Sequence, residues 1–134
     1  MVLDRDYENF KKDTRVIKEA NTLQKNGFEV TIAINDYISN KDIVKDFNFD
    51  IAFCGEKRTT NKINKNSLEK IIWFIKFLNK SRKFKKNIYK KMNIEQFNVF
   101  HLHDLETLSL AKRLSKKGKV IYDSHEYWVG HKSL

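Results

Sequence analysis

Residues 99–123 read VFHLHDLETLSLAKRLSKKGKVIYD, and this stretch decides the fold. Val99–His103 is expected to be a strand, and Lys119–Asp123, which is rich in Val, Ile and Tyr, is expected to be another. Between them, Leu105–Lys117 predicts a helix that Gly118 ends. The apolar stripe of that helix consists of Leu105, Leu108, Ala111 and Leu114. Strand, helix and strand in this order indicate a right-handed β-α-β unit with parallel strands.

The sequence before residue 99 continues the alternation of helices and strands. Apolar residues on one face of Thr14–Asn26, followed by Gly27, predict a helix that ends in the left-handed conformation. Arg5–Lys12 is polar and is predicted to be a loop. Further strands are predicted at Met1–Asp4, Phe28–Ile34 and Phe47–Phe53. These elements predict one α/β domain over residues 1–134, Rossmann-like, with a mainly parallel sheet of about five strands and helices on both faces.

The composition of the 134-residue chain excludes several classes of protein. A hydrophobic content of 40% supports a packed core, whereas four Gly and no Pro argue against a turn-rich all-β architecture. The single Cys54 cannot form an internal disulfide, and acidic residues near the N-terminus argue against a secretory signal. The apolar run Ile71–Ile75 is far shorter than the roughly 20 residues that cross a bilayer. We therefore expect a cytoplasmic protein.

The formal net charge of +10 comes from one region. The basic segment, Lys57–Lys91, contains 13 Lys or Arg residues and one acid, whereas the rest of the chain contains 14 bases and 16 acids. Its beginning, Glu56–Asn66, is predicted to be a loop, and Ser67–Met92 a long helix. The apolar face of that helix either packs on the sheet beneath solvated lysines or meets an anionic membrane.

The membrane interpretation places aromatic and basic side chains on the inner face of the cell membrane. Its residues are Lys70, Trp73, Phe77, Lys80, Arg82, Lys83, Lys85 and Lys86. Nucleic-acid binding by the same surface is less favoured, because the sequence has no RNA-recognition or helix-turn-helix signature.

Histidines and acids follow two of the predicted strands. The sequence HLHD ends one strand at residues 101–104, and DSHE ends another at 123–126. Ligands of open parallel sheets bind at the carboxyl ends of the strands, where a histidine beside a carboxylate can transfer a proton or stabilise positive charge. A metal site is a less favoured alternative, formed by the His-x-His pair with Asp104, His125 and Glu126. The simplest interpretation of His101 is a half-buried strand residue.

Four motifs, spread over almost the whole chain, carry a family resemblance. They are Asp13-Thr-Arg15-Val-Ile-Lys-Glu-Ala, Gly27-Phe-Glu-Val-Thr-Ile-Ala, His101-Leu-His103-Asp104 and Tyr122-Asp123-Ser-His125-Glu126. They resemble the N-terminal half of family 4 glycosyltransferases of the GT-B fold. The resemblance implies transfer of a sugar from a nucleotide-sugar donor to an acceptor with retention of configuration. In that family the N-terminal domain holds the acceptor and the C-terminal domain holds the donor.

The resemblance also implies roles for single residues. His103 and Asp104 match the catalytic pair at the cleft of the family. The acceptor-binding set that it implies comprises Asp13, Arg15, Asp123, His125 and Glu126. Transfer passes through an oxocarbenium-like sugar, whose developing positive charge carboxylates stabilise. The expected acceptor is a glycan or a lipid-linked molecule used in cell-surface polysaccharide or glycolipid assembly.

Two departures from the family pattern limit what this chain can do alone. No Glu has another Glu eight positions further on, and no Gly-rich phosphate-binding loop is present in the sequence. The nucleotide-sugar donor is therefore expected to bind a C-terminal glycosyltransferase domain that the sequence lacks, and no cofactor is predicted. We expect a fragment that is inactive by itself. A basic nucleic-acid-binding α/β module and a metal-dependent hydrolase are the alternative functions.

The membrane interpretation predicts that the protein sediments with anionic vesicles. Each Lys or Arg that approaches anionic lipid contributes on the order of 1 kcal/mol. Binding to phosphatidylglycerol-containing vesicles should weaken when salt shortens the screening length below about 10 Å, and zwitterionic vesicles should bind far less. Equal sedimentation with both vesicle types, or with neither, would leave the lysines as solvated side chains of an ordinary helix.

Overall fold

Five parallel strands form one sheet in the computed structural model, which describes residues 1–37, 47–56 and 82–124. The strands are β1 (Val2–Leu3), β2 (Thr31–Ile34), β3 (Asp50–Phe53), β4 (Val99–His103) and β5 (Lys119–Asp123). Their order in the sheet is β3-β2-β1-β4-β5, and every neighbouring pair is parallel. The predicted Rossmann-like α/β fold is thus confirmed.

Four helices accompany the sheet within the described residues. They are α1 (Tyr7–Phe10), α2 (Thr14–Lys25), α3 (82–91) and α4 (Ala111–Leu114), with 3-10 turns at Ile94–Gln96 and Leu105–Leu110. The side chain of Asp13 caps α2 by accepting a hydrogen bond from the Val16 N–H. Gly27 follows α2 with a φ of 85°, the left-handed conformation expected from the sequence. The predicted Thr14–Asn26 helix is therefore correct to within one residue.

The core lies in two layers, one on each face of the sheet. Alternation along the strands sends Leu3 and Ile32 to the face covered by α1 and α2, and it sends Val2, Ala33 and Leu102 to the opposite face. The second face is covered by side chains of α3, α4 and the preceding 3-10 turn, namely Phe84, Ile88, Leu110 and Leu114. Helices therefore cover both faces, as predicted.

The prediction of a loop over Arg5–Lys12 is wrong. Asp6 caps the short helix α1 by accepting a hydrogen bond from the Asn9 N–H, and Tyr7 and Phe10 are buried. Two aromatic residues three positions apart are enough to anchor one helical turn. The many polar residues around them concealed that pattern.

The predicted apolar stripe after β4 is also partly wrong. Leu105 and Leu108 are 49% and 41% exposed, whereas Thr107 and Leu110 are buried. The segment begins as a 3-10 turn with three residues per turn, so the side chains that face the core differ from those of an α-helix. In addition, β2 and β3 each begin three residues later than predicted.

The described part of the basic segment packs on the sheet. Phe84 and Ile88, four positions apart on α3, are each 1% exposed, while Arg82, Lys83 and Lys86 are exposed and Lys85 is half-buried. Lys83 pairs with Glu56 at 2.8 Å.

Most of the predicted Glu56–Asn66 loop and the first part of the Ser67–Met92 helix lie outside the described residues, together with Lys70, Trp73, Phe77 and Lys80. Among the described residues, no helix combines the length and apolar composition needed to cross a membrane.

Gly118 is required by close packing at the start of β5. A Cβ atom at this position would lie 2.5 Å from the backbone oxygen of Asn98, which accepts a hydrogen bond from the Lys119 N–H. We expect Gly118→Ala to lower the free energy of unfolding by about 1–3 kcal/mol, because backbone must move to admit the methyl group. The free energy of unfolding is measured by urea unfolding followed by circular dichroism. The exposed Lys116→Ala variant is the control. Equal stability of the two variants would contradict the packing argument.

Candidate functional site

The strand order places the reversal of the sheet between β1 and β4. After β1 the chain builds β2 and β3 on one side, and it then crosses to build β4 and β5 on the other. Ligands of open α/β sheets bind at such a switch point, outside the carboxyl ends of the strands. A cleft of about 720 Å³ lies there. Its lining includes Arg5, Asp6, Asp13, Arg15, Asp104 and Glu106.

Arg5 joins the two central strands at this edge. Its Nε and Nη2 donate to the two carboxylate oxygens of Asp104 at 3.1 and 2.7 Å, and its Nη1 donates to Asp13 Oδ2 at 2.6 Å. The carboxylate side chains are each only 9% exposed. Paired hydrogen bonds between a guanidinium and a carboxylate are both strong and directional. The ends of β1 and β4 and the cap of α2 are therefore held in one arrangement.

The backbone at Asp104 turns sharply out of β4. Asp104 has a φ of 69°, a conformation that Asp tolerates better than most residues other than Gly. The hydroxyl of Thr107 is buried in this turn and lies 2.7 and 2.9 Å from the carbonyl oxygens of His103 and Asp104. The turn thus presents the Asp104 side chain to Arg5.

Arg15 extends the contacts from α2 to β5. Its Nη1 donates to Asp123 Oδ2, and its Nη2 lies 3.9 Å from Asp13 Oδ2. Together with Arg5 and Asp104, these residues form a continuous arginine network along the carboxyl edge of the sheet. The network contains Arg5, Asp13, Arg15, Asp104 and Asp123.

A second group, the imidazole–carboxylate cluster, lies beneath α2 and consists of Glu19, His101, His103 and Asp123. Alternation along β4 places both imidazoles on the α2 side of the sheet, with ring centroids 4.2 Å apart. Glu19 on α2 contacts both rings, at 2.9 Å from His101 Nδ1 and 3.9 Å from His103 Nε2. Asp123, the register partner of His103 on β5, lies 3.5 Å from His103 Nδ1.

Burial favours the neutral form of both imidazoles. Burial lowers the pKa of His103 to about 3, helped by the neighbouring His101 and Arg15 and opposed by Asp123. Burial also lowers the pKa of His101, although Glu19 opposes this effect. The rings can therefore bind a metal ion, but His103 is too weak a base to take up a proton near pH 7, contrary to the proton-transfer role expected from the sequence.

The structure brings five of the seven predicted sugar-site residues to one edge of the sheet. They are Asp13, Arg15, His103, Asp104 and Asp123. His125 and Glu126 lie outside the described residues. The side chain of His103 is fully buried, so direct contact with a sugar would require its surroundings to open.

The sequence interpretation missed two residues of the site. Arg5 follows β1 directly, and its position at a strand end was the available signal. Glu19 lies on α2 beside the buried Val16 and Ala20. The signal in the sequence was this charged residue at the border of the apolar face of the helix. His101 is more than a half-buried strand residue, because it faces Glu19.

No model of a known protein family, no curated protein and no solved structure matches this chain. The resemblance to family 4 glycosyltransferases therefore rests on the four sequence motifs alone.

Neutral, buried His103 makes the stability of the protein pH-dependent. Its pKa falls from 6.5 to about 3 on folding, so below pH 6.5 the unfolded state binds a proton that the folded state does not. The free energy of unfolding should therefore fall as pH falls from 6.5 toward 3, by up to ~1.4 kcal/mol per pH unit for this residue. Urea unfolding in EDTA-containing buffers between about pH 5 and pH 8 compares the wild type with His103→Gln. Parallel pH profiles of the two proteins would contradict this assignment.

Proposed function

We propose that this chain is the acceptor-binding half of a retaining glycosyltransferase. The observation that carries the proposal is the convergence of Asp13, Arg15, Asp104 and Asp123 at the switch point of the sheet. Sequence motifs single out these residues from three separate parts of the chain. All four side chains belong to the arginine network.

The cleft is suited to a polar, hydroxyl-rich acceptor. Carboxylates accept hydrogen bonds from sugar hydroxyls, and guanidinium groups donate to hydroxyl and phosphate oxygens. Arg5 and Arg15 hold the carboxylates in fixed positions. The loss of side-chain conformational entropy when a sugar binds is therefore small. The site favours an acceptor with several hydroxyl groups over an apolar one.

The same groups fit the charge changes of retaining sugar transfer. The transferred sugar becomes positively charged as its bond to the nucleotide breaks, and fixed carboxylates at the cleft stabilise that charge. The acceptor hydroxyl must also lose a proton. Asp123 is 33% exposed and lies beside the neutral ring of His103, so it is the member of the pair that an acceptor can reach. His103 then acts by positioning Asp123.

The proposal includes partners beyond the described residues. The nucleotide-sugar donor is bound by a C-terminal glycosyltransferase domain, and the acceptor is a glycan or a lipid-linked glycan. The exposed bases of α3 are consistent with work at an anionic membrane surface, although Phe84 and Ile88 of that helix pack on the sheet.

The proposal is tested by assaying sugar transfer. The assay uses the protein encoded by the full reading frame that contains this chain. A panel of nucleotide-sugars is supplied with glycan and lipid-linked acceptors, and transfer is followed by mass spectrometry. We expect Asp104→Asn and His103→Gln each to lower kcat by about 100-fold, because charge stabilisation and the positioning of Asp123 are lost. The exposed Glu95→Gln, which removes a surface pair with Lys117, is the matched control and should leave kcat unchanged.

Two readouts separate catalysis from folding in that experiment. Circular dichroism and Tm report whether each variant folds, and a fall in kcat at unchanged KM reports a role in the transfer step. Transfer that neither variant affects would return His103 and Asp104 to structural roles. Absence of transfer with every nucleotide-sugar would contradict the proposed function itself.

A further inference from the structure

The imidazole–carboxylate cluster brings four metal-ligating side chains to one point. One nitrogen or oxygen atom from each of Glu19, His101, His103 and Asp123 lies within 4.8 Å of those from the other three. A tetrahedral zinc ion with bonds of about 2.0–2.2 Å holds its ligand atoms roughly 3.3–3.6 Å apart. The contacts between imidazole nitrogens and carboxylate oxygens measure 2.9 Å at His101 Nδ1, 3.5 Å at His103 Nδ1 and 3.9 Å at His103 Nε2. A single ion takes one nitrogen from each ring, so rotation of the side chains would have to bring one ligand atom of each residue to the tetrahedral spacing.

The kinds of donor atom select the class of metal. Two imidazoles with two carboxylates suit Zn²⁺ and neighbouring divalent transition metals, whereas Mg²⁺ and Ca²⁺ prefer oxygen ligands throughout. Neutral imidazole is the form of histidine that binds metal.

The charges around the cluster favour a divalent cation. The carboxylates of Glu19 and Asp123 bring two negative charges, and Arg15 balances one of them through its hydrogen bond to Asp123. Asp123 Oδ2 accepts from Arg15 and is also the oxygen that lies 3.5 Å from His103 Nδ1, so Asp123 would coordinate a metal through Oδ1 after its carboxylate rotates. His103 is fully buried and His101 is 13% exposed, so the site is shielded on the side of β4.

We propose that Glu19, His101, His103 and Asp123 bind one divalent transition-metal ion of the Zn²⁺ type. This differs from the metal alternative considered from sequence, because Asp104 is engaged by Arg5 and the carboxylates come from α2 and β5 instead. The ion would tie α2 to β4 and β5 directly beside the cleft. Its role toward a sugar substrate is to position Asp123 and Arg15.

Metal binding is measured on the whole chain carrying His125→Gln and His131→Gln, which removes its other two histidines. After treatment with EDTA, this protein is titrated with ZnCl₂ by calorimetry and its Tm is followed. We expect one Zn²⁺ per chain, a rise in Tm, and visible absorption bands of nitrogen- and oxygen-coordinated Co²⁺ when CoCl₂ replaces zinc. MgCl₂ should produce none of these effects.

Variants of the ligands identify the site. Glu19→Gln and His101→Gln should each lower the affinity for Zn²⁺ by at least about tenfold. Glu29→Gln is the matched control, because this exposed carboxylate precedes β2 at the opposite edge of the sheet. If His101→Gln does not fold, the affinity of Glu19→Gln for Zn²⁺ is the test. The side chain of Glu19 is 33% exposed, so its substitution disturbs the core less.

Absence of saturable Zn²⁺ binding, or binding that Glu19→Gln leaves unchanged, would overturn the metal site. The four residues would then form a proton-sharing network of imidazoles and carboxylates. Neither calorimetry nor Tm depends on sugar transfer. Failure of the metal site and failure of the proposed transferase function are therefore distinguishable.

Discussion

The guanidinium of Arg5 connects the end of β1 to the end of β4 and to the cap of α2. It does so through both oxygens of Asp104 and one oxygen of Asp13, and both acids are nearly buried. A nearly buried charge is stable only beside its partner, so these three side chains constrain one another strongly. They lie where the strand order reverses and the neighbouring elements diverge. These three side chains form part of the polar lining of the cleft.

Asp123 links the two halves of the site. Through Arg15 it belongs to the arginine network, and through His103 it belongs to the imidazole–carboxylate cluster. Asp123 therefore connects the buried cluster to Arg15, which lines the cleft. This arrangement gives a fully buried histidine a physical route by which to influence a ligand bound outside the sheet.

Elements that depend on local interactions were predicted correctly from the sequence, whereas an element that depends on distant contacts was missed. β4, β5 and α2 depend on local alternation, a cap and a helix-ending glycine, and they were predicted to within a residue. α1 was missed because its two aromatic residues become buried only against rings from a distant part of the chain. Tyr7 packs on Phe53, and Phe10 packs on Phe47 and Phe49.

The sequence by itself determined the parallel α/β architecture and most of the polar residues that end its strands, because period-two and helical patterns are local properties of the chain. It also placed His101 and His103 on one side of β4. Only the tertiary structure decided which groups they meet. Arg5 and Asp104 are 99 positions apart, and Glu19 faces both histidines from another element. Such pairs depend on strand order and on the packing of α2, which are set by long-range burial and leave no periodic mark in the sequence.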